Sequence, residues 1–164
     1  MPDNKKMVEI RHFKMSFGDK TVIKDLSFDV FRGEVFGFLG SNGSGKTTTL
    51  RALLGLYQPT AGDLLINGKP YSVGSRIRLG YLPEERGLYK KEKVLDVMLY
   101  FGQLKGLSRK EAKDFSLNFL ERVNLSDKAN TQLDKLSGGQ QQKIQLGVTI
   151  MGDPELLIMD EPAK

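Results

Sequence analysis

The chain has 164 residues, a net charge of +5, 39% hydrophobic and 27% charged residues, and no cysteine. That is enough chain for one domain with a real core, and the lack of cysteine excludes a disulfide framework or a thiolate metal site. No apolar run approaches the roughly 20 residues that cross a bilayer, and the polar residues 1–6 lack the apolar core of a secretory signal. A cytosolic protein is expected. A nucleic-acid binder, a phosphate-handling protein or one near anionic lipid could carry this charge, but the basic residues are scattered apart from Lys90, Lys91 and Lys93, so nucleic acid is not the expected partner.

Taken in chain order, residues 8–17 and 22–31 read as two partly alternating strands around a Gly18-Asp19 turn. The run Val35-Phe36-Gly37-Phe38-Leu39, bounded by Gly33 and Gly40, predicts a buried strand over 34–39. A helix is predicted over 47–54, ending near Gly55, and short strands over 64–66 and 77–82. Residues 94–104 and 108–123 read as helices, the second opening on Ser108 with Glu111 at capping-box spacing. Another helix is predicted over 139–151, and a buried, wholly apolar strand over 156–159 that ends on Asp160-Glu161. Strands, a helical stretch and a return to a buried strand make an α/β pattern.

Gly40-Ser41-Asn42-Gly43-Ser44-Gly45-Lys46-Thr47 matches G-x-x-x-x-G-K-[ST] at every fixed position, between a predicted strand and a predicted helix. Glycines let the backbone curl so that successive N–H groups face phosphate oxygens, and the helix start adds partial positive charge. Lys46 is placed to reach the β- and γ-phosphates, and the Thr47 hydroxyl to ligate Mg²⁺. A loop that merely turns would not need all three parts in register.

Leu156-Leu157-Ile158-Met159-Asp160-Glu161 puts acids at the carboxyl end of a strand, where open α/β sheets bind ligands. Asp160 can hold Mg²⁺, and Glu161 can polarise an attacking water as general base. Alone, the pair could equally be a solvated strand end; the phosphate loop favours the first reading.

Leu136-Ser137-Gly138-Gly139-Gln140, followed by Gln141, Gln142 and Lys143, carries the third signal. A Ser-Gly-Gly helix start offers N–H groups and a hydroxyl to an anion, though alone it could be an ordinary N-cap. Its position after the phosphate loop and before the acidic strand resembles the nucleotide-binding domain of ABC transporters, over nearly the whole chain. The resemblance implies a P-loop NTPase fold, the ABC ATPase core, with an N-terminal antiparallel β subdomain and a helical insert at about 93–136. It also implies ATP and Mg²⁺ as ligands and ATP hydrolysis coupled to membrane export. A soluble ABC ATPase acting on ribosomes or DNA is the alternative, but neither a second cassette nor a long coiled-coil insert is present.

Further positions follow from the resemblance. Phe17 stands where the family stacks an aromatic on adenine, although a strand-core aromatic is an equal reading of the residue itself. Val22 takes a neighbouring position that often touches the base. In Gly80-Tyr81-Leu82-Pro83-Glu84-Glu85, Glu84 replaces the usual Q-loop glutamine. It keeps an oxygen for Mg²⁺ or its waters and loses the amide donor, and an exporter subgroup shares it. The implied nucleotide set is Phe17, Val22, Gly40, Ser41, Asn42, Gly43, Ser44, Gly45, Lys46, Thr47 and Thr48. The implied catalytic pair is Glu161 and Glu84, and the implied metal ligands are Thr47, Glu84 and Asp160. Ser137, Gly138, Gly139 and Gln140 would act in trans.

In the family two such domains, alike or different, enclose ATP head to tail, and the Q-loop and helical insert face transmembrane permease subunits. The expected location is therefore the inner face of the cell membrane. The family continues past the catalytic Glu with a D-loop, a central strand and a switch histidine. The resemblance thus implies an incomplete core that binds nucleotide without turning it over alone. His12, in the first strand region, is expected to be a surface or strand-packing residue.

Overall fold

The structure, a computed structural model, describes residues 5–72, 74–84 and 88–160. The chain forms two compact units, Met1–Arg76 and Ile77–Lys164.

In the first unit, β1 (Lys6–Phe17) and β2 (Lys20–Phe31) form a hairpin, and β3 (Ala61–Ile66) joins the other edge of β1 in an antiparallel sheet ordered β2-β1-β3. Val8 lies opposite Val30 on one side and Ile66 on the other. Met7, Val8, Ile10, Phe13, Met15, Ile23, Leu64 and Ile66 are buried and hold the sheet by apolar contact. The register shifts at His12, whose φ is 48° and whose N–H donates to Ser27 Oγ at 2.8 Å. Gly62 makes this bulge possible: with φ at 83° it runs so close that a Cβ there would collide with the Arg11 and His12 carbonyls. The His12 side chain is exposed, 3.3 Å from Asp25, as expected of a surface residue.

The helix α1 (Lys46–Leu53) follows the glycine-rich loop. It stops where Gly55 turns to φ 71°, with Gly55 N–H on Ala52 O at 3.0 Å and Leu56 N–H on Arg51 O at 2.9 Å, a Schellman closure.

The strand expected over 34–39 does not form. Strands exist through ladder hydrogen bonds, and no described residue pairs with this segment. Val35 is 100% exposed and Leu39 is exposed too, while Phe36 stacks on Phe28 at 4.9 Å and Phe38 leans on the same ring at 5.5 Å.

In the second unit, β4 (Leu79–Leu82) and β5 (Leu156–Met159) pair in parallel, Leu79 with Leu156 through Leu82 with Met159. The strand expected over 77–82 is shorter by two residues. Full burial of 156–159 is also corrected: Ile158 is buried, whereas Leu157 and Met159 are exposed. A parallel strand is buried all round only when both its faces are covered.

Three helices build the core: α2 (Val94–Leu104), α3 (Arg109–Arg122) and α4 (Gly138–Ile150). Val94, Met98, Ala112, Leu120, Leu133, Ile144 and Met151 sit at its centre. The helices pack closely: a Cβ on Gly102 would meet the Ala112 Cβ at 2.5 Å, and one on Gly147 the Phe119 ring at 2.5 Å. The capping box at α3 forms as predicted, Glu111 N–H on Ser108 Oγ at 3.2 Å and Ser108 N–H on Glu111 Oε2 at 2.8 Å. At the far end of α4, Lys105 Nζ donates to the carbonyls of Val148 at 2.6 Å, Thr149 at 2.8 Å and Met151 at 3.0 Å. Among the described residues no helix is long and apolar enough to cross a membrane.

Candidate nucleotide-binding site

The glycine-rich loop is built from local backbone constraints. Gly43 and Gly45 take φ of 80° and 93°, a region L side chains rarely enter. Ser44 N–H closes a turn onto Ser41 O at 3.1 Å. A Cβ on Gly45 would approach Ile23 Cγ1 to 2.9 Å and Val22 Cγ1 to 3.4 Å, so the glycine seats the loop against β2 and brings Val22 to it. Gly45 is the N-cap of α1, with no side-chain cap and no acid in the first turn. The first-turn N–H groups therefore keep their partial positive charge for an outside anion. Gly40, Ser41, Asn42, Gly43 and Ser44 are exposed, and Lys46, Thr47 and Thr48 are half-buried.

Lys46 Nζ rests on the carbonyls of Gly40 at 2.7 Å and Ser41 at 3.0 Å. The ammonium thus arches over the loop, and carbonyl contacts of this kind exchange readily for charged phosphate oxygens. Thr49 anchors the helix behind it, through N–H at 2.8 Å and Oγ1 at 2.9 Å on Gly45 O.

Phe17 ends β1 with 46% of its surface exposed, so it is not the core aromatic that the strand reading allowed. It meets Tyr57 edge to face, centroids 5.4 Å apart and planes at 82°. Tyr57 carries no motif, and sequence reasoning passed over it.

In the second unit, parallel pairing puts Glu84 and Asp160 at the same carboxyl end of the β4–β5 pair, one just past Leu82 and the other just past Met159. Glu84 is exposed. Asp160 is 4% exposed, and its Oδ2 finds no hydrogen-bond partner among the described residues. An unmatched buried carboxylate oxygen suits a hard cation such as Mg²⁺. Among the described residues no cluster of three His, Cys, Asp or Glu forms a metal site. Glu161 lies outside the described residues, as does Glu85.

Ser137 caps α4: its Oγ accepts from Gln140 N–H at 3.3 Å, and Gln140 Oε1 accepts from Ser137 N–H at 2.9 Å. Gln141 Nε2 adds a bond to Leu136 O at 3.0 Å. The box holds Ser137, Gly138 and Gly139 at an exposed to half-buried helix start.

A glycine cradle at a helix start and an acid at the carboxyl end of a parallel strand define the chain as a P-loop nucleotide-binding protein of α/β fold. A family profile described as ABC transporter matches residues 23–164. An ABC transporter ATP-binding protein of Methanocaldococcus jannaschii is 41% identical over 96% of this chain and 57% of its own length. The ABC transporter ATP-binding protein YhaQ of Bacillus subtilis is 44% identical over 95% of this chain and 52% of its own. The Nod factor export ATP-binding protein I of Rhizobium sp. strain N33 is 38% identical over 97% and 53%. A solved chain described as a metal-chelate type ABC transporter, inward-facing, superposes with a TM-score of 0.77 at 25% identity, over 96% of this chain and 60% of that one. The chain belongs to the ABC transporter family, and it spans about half the length of the curated relatives it matches.

Proposed function

We propose that this chain is the ATP-binding part of an ABC transporter's ATPase subunit and that it works in membrane export. The cradle of Gly40 to Thr47, with Lys46 arched over its carbonyls, carries the reading. Relatives named for Nod factor export and for linearmycin resistance support the direction.

The roles follow residue by residue. Backbone N–H groups from Ser41 to Thr48 bind phosphate oxygens, and Lys46 leaves its carbonyls to pair with the β- and γ-phosphates. Phe17 stacks on the base beside Val22. Thr47, Asp160 and Glu84 would hold Mg²⁺, which neutralises charge on the phosphate oxygens when bound. Glu161 takes the proton of the attacking water. Ser137, Gly138, Gly139 and Gln140 of one chain complete the nucleotide site of a second, alike or different. The segment around Glu84 and the helices of residues 93–136 meet the permease subunits, which places the protein on the cytoplasmic face of the membrane.

Affinity purification of the tagged protein from its own cells tests this. A multi-span membrane protein is expected to accompany it, with phosphate release that Glu161→Gln abolishes. Recovery on ribosomes or DNA, with no membrane protein, overturns the reading.

A further inference from the structure

We propose that Tyr57 is a positioning residue for nucleotide binding: it orients the Phe17 ring on which the base stacks. The proposal rests on the stacking reading of Phe17.

Phe17 is the last residue of β1, paired among the described residues only with Lys20 across the hairpin and followed by the exposed Gly18 and Asp19. A half-exposed ring at a strand end has little to fix its side-chain torsions, and a mobile ring makes a weaker platform because the ordering falls on the binding step. Tyr57 supplies the missing constraint through its perpendicular contact at 5.4 Å. Edge-to-face pairs favour one ring orientation through their quadrupoles.

Tyr57 is itself held from two directions. Arg51 Nη1, in the last turn of α1, lies 3.3 Å from its hydroxyl. Three residues on, Thr60 ties the connection to the end of β1: Ser16 N–H donates to Thr60 Oγ1 at 2.9 Å, and Thr60 N–H donates to Lys14 O at 2.9 Å. The helix whose first turn carries Lys46 and Thr47 therefore reaches, from its last turn through Tyr57, the ring that receives the base. One helix registers both ends of the nucleotide.

Titration calorimetry of the 164-residue chain with MgATP and with magnesium tripolyphosphate separates base from phosphate binding. Tyr57→Leu keeps apolar bulk and removes the ring. It is expected to weaken MgATP about 2- to 10-fold, the range of an aromatic pair, and to leave tripolyphosphate unchanged, while Tyr57→Phe keeps the ring, loses only the Arg51 contact and weakens MgATP less than Tyr57→Leu does. Phe17→Ala is expected to weaken MgATP about 5- to 150-fold, and adding Tyr57→Leu to it should cost nothing more. Unchanged MgATP affinity in Phe17→Ala overturns the stacking reading itself. A loss in Phe17→Ala with no loss in Tyr57→Leu, or with losses that add in the double variant, overturns the role of Tyr57 alone. Equal weakening of both ligands by Tyr57→Leu shows a general defect of the unit and also overturns it.

Discussion

Asp160 donates its backbone N–H to the carbonyl of Leu82 at 2.8 Å. The bond extends the β4–β5 ladder one step past Met159, and it fixes the carboxyl end of β5 to the residue two places before Glu84. The strand that ends on the proposed metal carboxylate and the strand that leads to Glu84 therefore terminate as one unit.

Asp160 carries the first prediction. Its Oδ2 is buried without a described partner, a state that costs about 1–3 kcal/mol. Asp160→Asn keeps the shape and exchanges a buried carboxylate for a neutral amide, which is cheaper to take out of water. In metal-free buffer it is expected to stabilise the chain by about 1 kcal/mol, as relief of functional strain does, read as a rise in Tm. In calorimetry the wild type should lose MgATP affinity when EDTA removes the metal, and Asp160→Asn should lose much of that difference between the two buffers. A metal response as large in Asp160→Asn as in the wild type removes Asp160 from the metal site.

Gly45 carries the second. Its φ of 93° and the 2.9 Å approach of a built Cβ to Ile23 leave no room for a side chain. Gly45→Ala is expected to cost about 1–3 kcal/mol from backbone strain and to abolish MgATP binding, because the loop can no longer seat on β2. Wild-type affinity in that variant would show that the loop tolerates another path.

The cap on α3 gives a pH dependence. The Ser108 hydroxyl, and then its backbone N–H, hold the Glu111 carboxyl below its usual 4.5. The native state thus binds fewer protons than the unfolded chain between the two values. The stabilisation is complete above about pH 4.5 and is lost as pH falls through the lower, native value. Glu111→Gln can keep the box without the charge. Its Tm is expected to fall less on acidification than that of the wild type, and parallel curves would remove Glu111 from the acid response.

Lys105 gives a fourth. Its ammonium serves three carbonyls at the C-terminal end of α4, where positive charge also complements the helix dipole. Lys105→Met is expected to destabilise by about 1–3 kcal/mol and to speed amide exchange in the last turn of α4, with MgATP affinity unchanged. Unaltered exchange there would show that water caps the helix equally well.

Much of this was legible in the sequence because it is local. The phosphate loop is written in glycines whose own φ values shape it, the Ser108–Glu111 box in a three-residue spacing, and α2 in its apolar period. What was not legible depends on distant partners. The apolar run 34–39 reads as a strand, yet a strand needs a neighbour, and apolar character alone supplies no ladder. Lys105 looks like any surface lysine until α4 ends beside it, more than forty residues later. Tyr57 lies forty residues past Phe17, and only the sheet and the turn at Thr60 bring the two rings together.

The central claim, that Gly40 to Thr47 cradle the phosphates of ATP, is tested most directly at Lys46. Calorimetric titration of MgATP into the wild-type chain and into Lys46→Ala is expected to show affinity lower by well over tenfold in the variant, since the charge facing the β- and γ-phosphates is gone. Equal affinities in the two proteins would contradict the assignment of the loop as the nucleotide site.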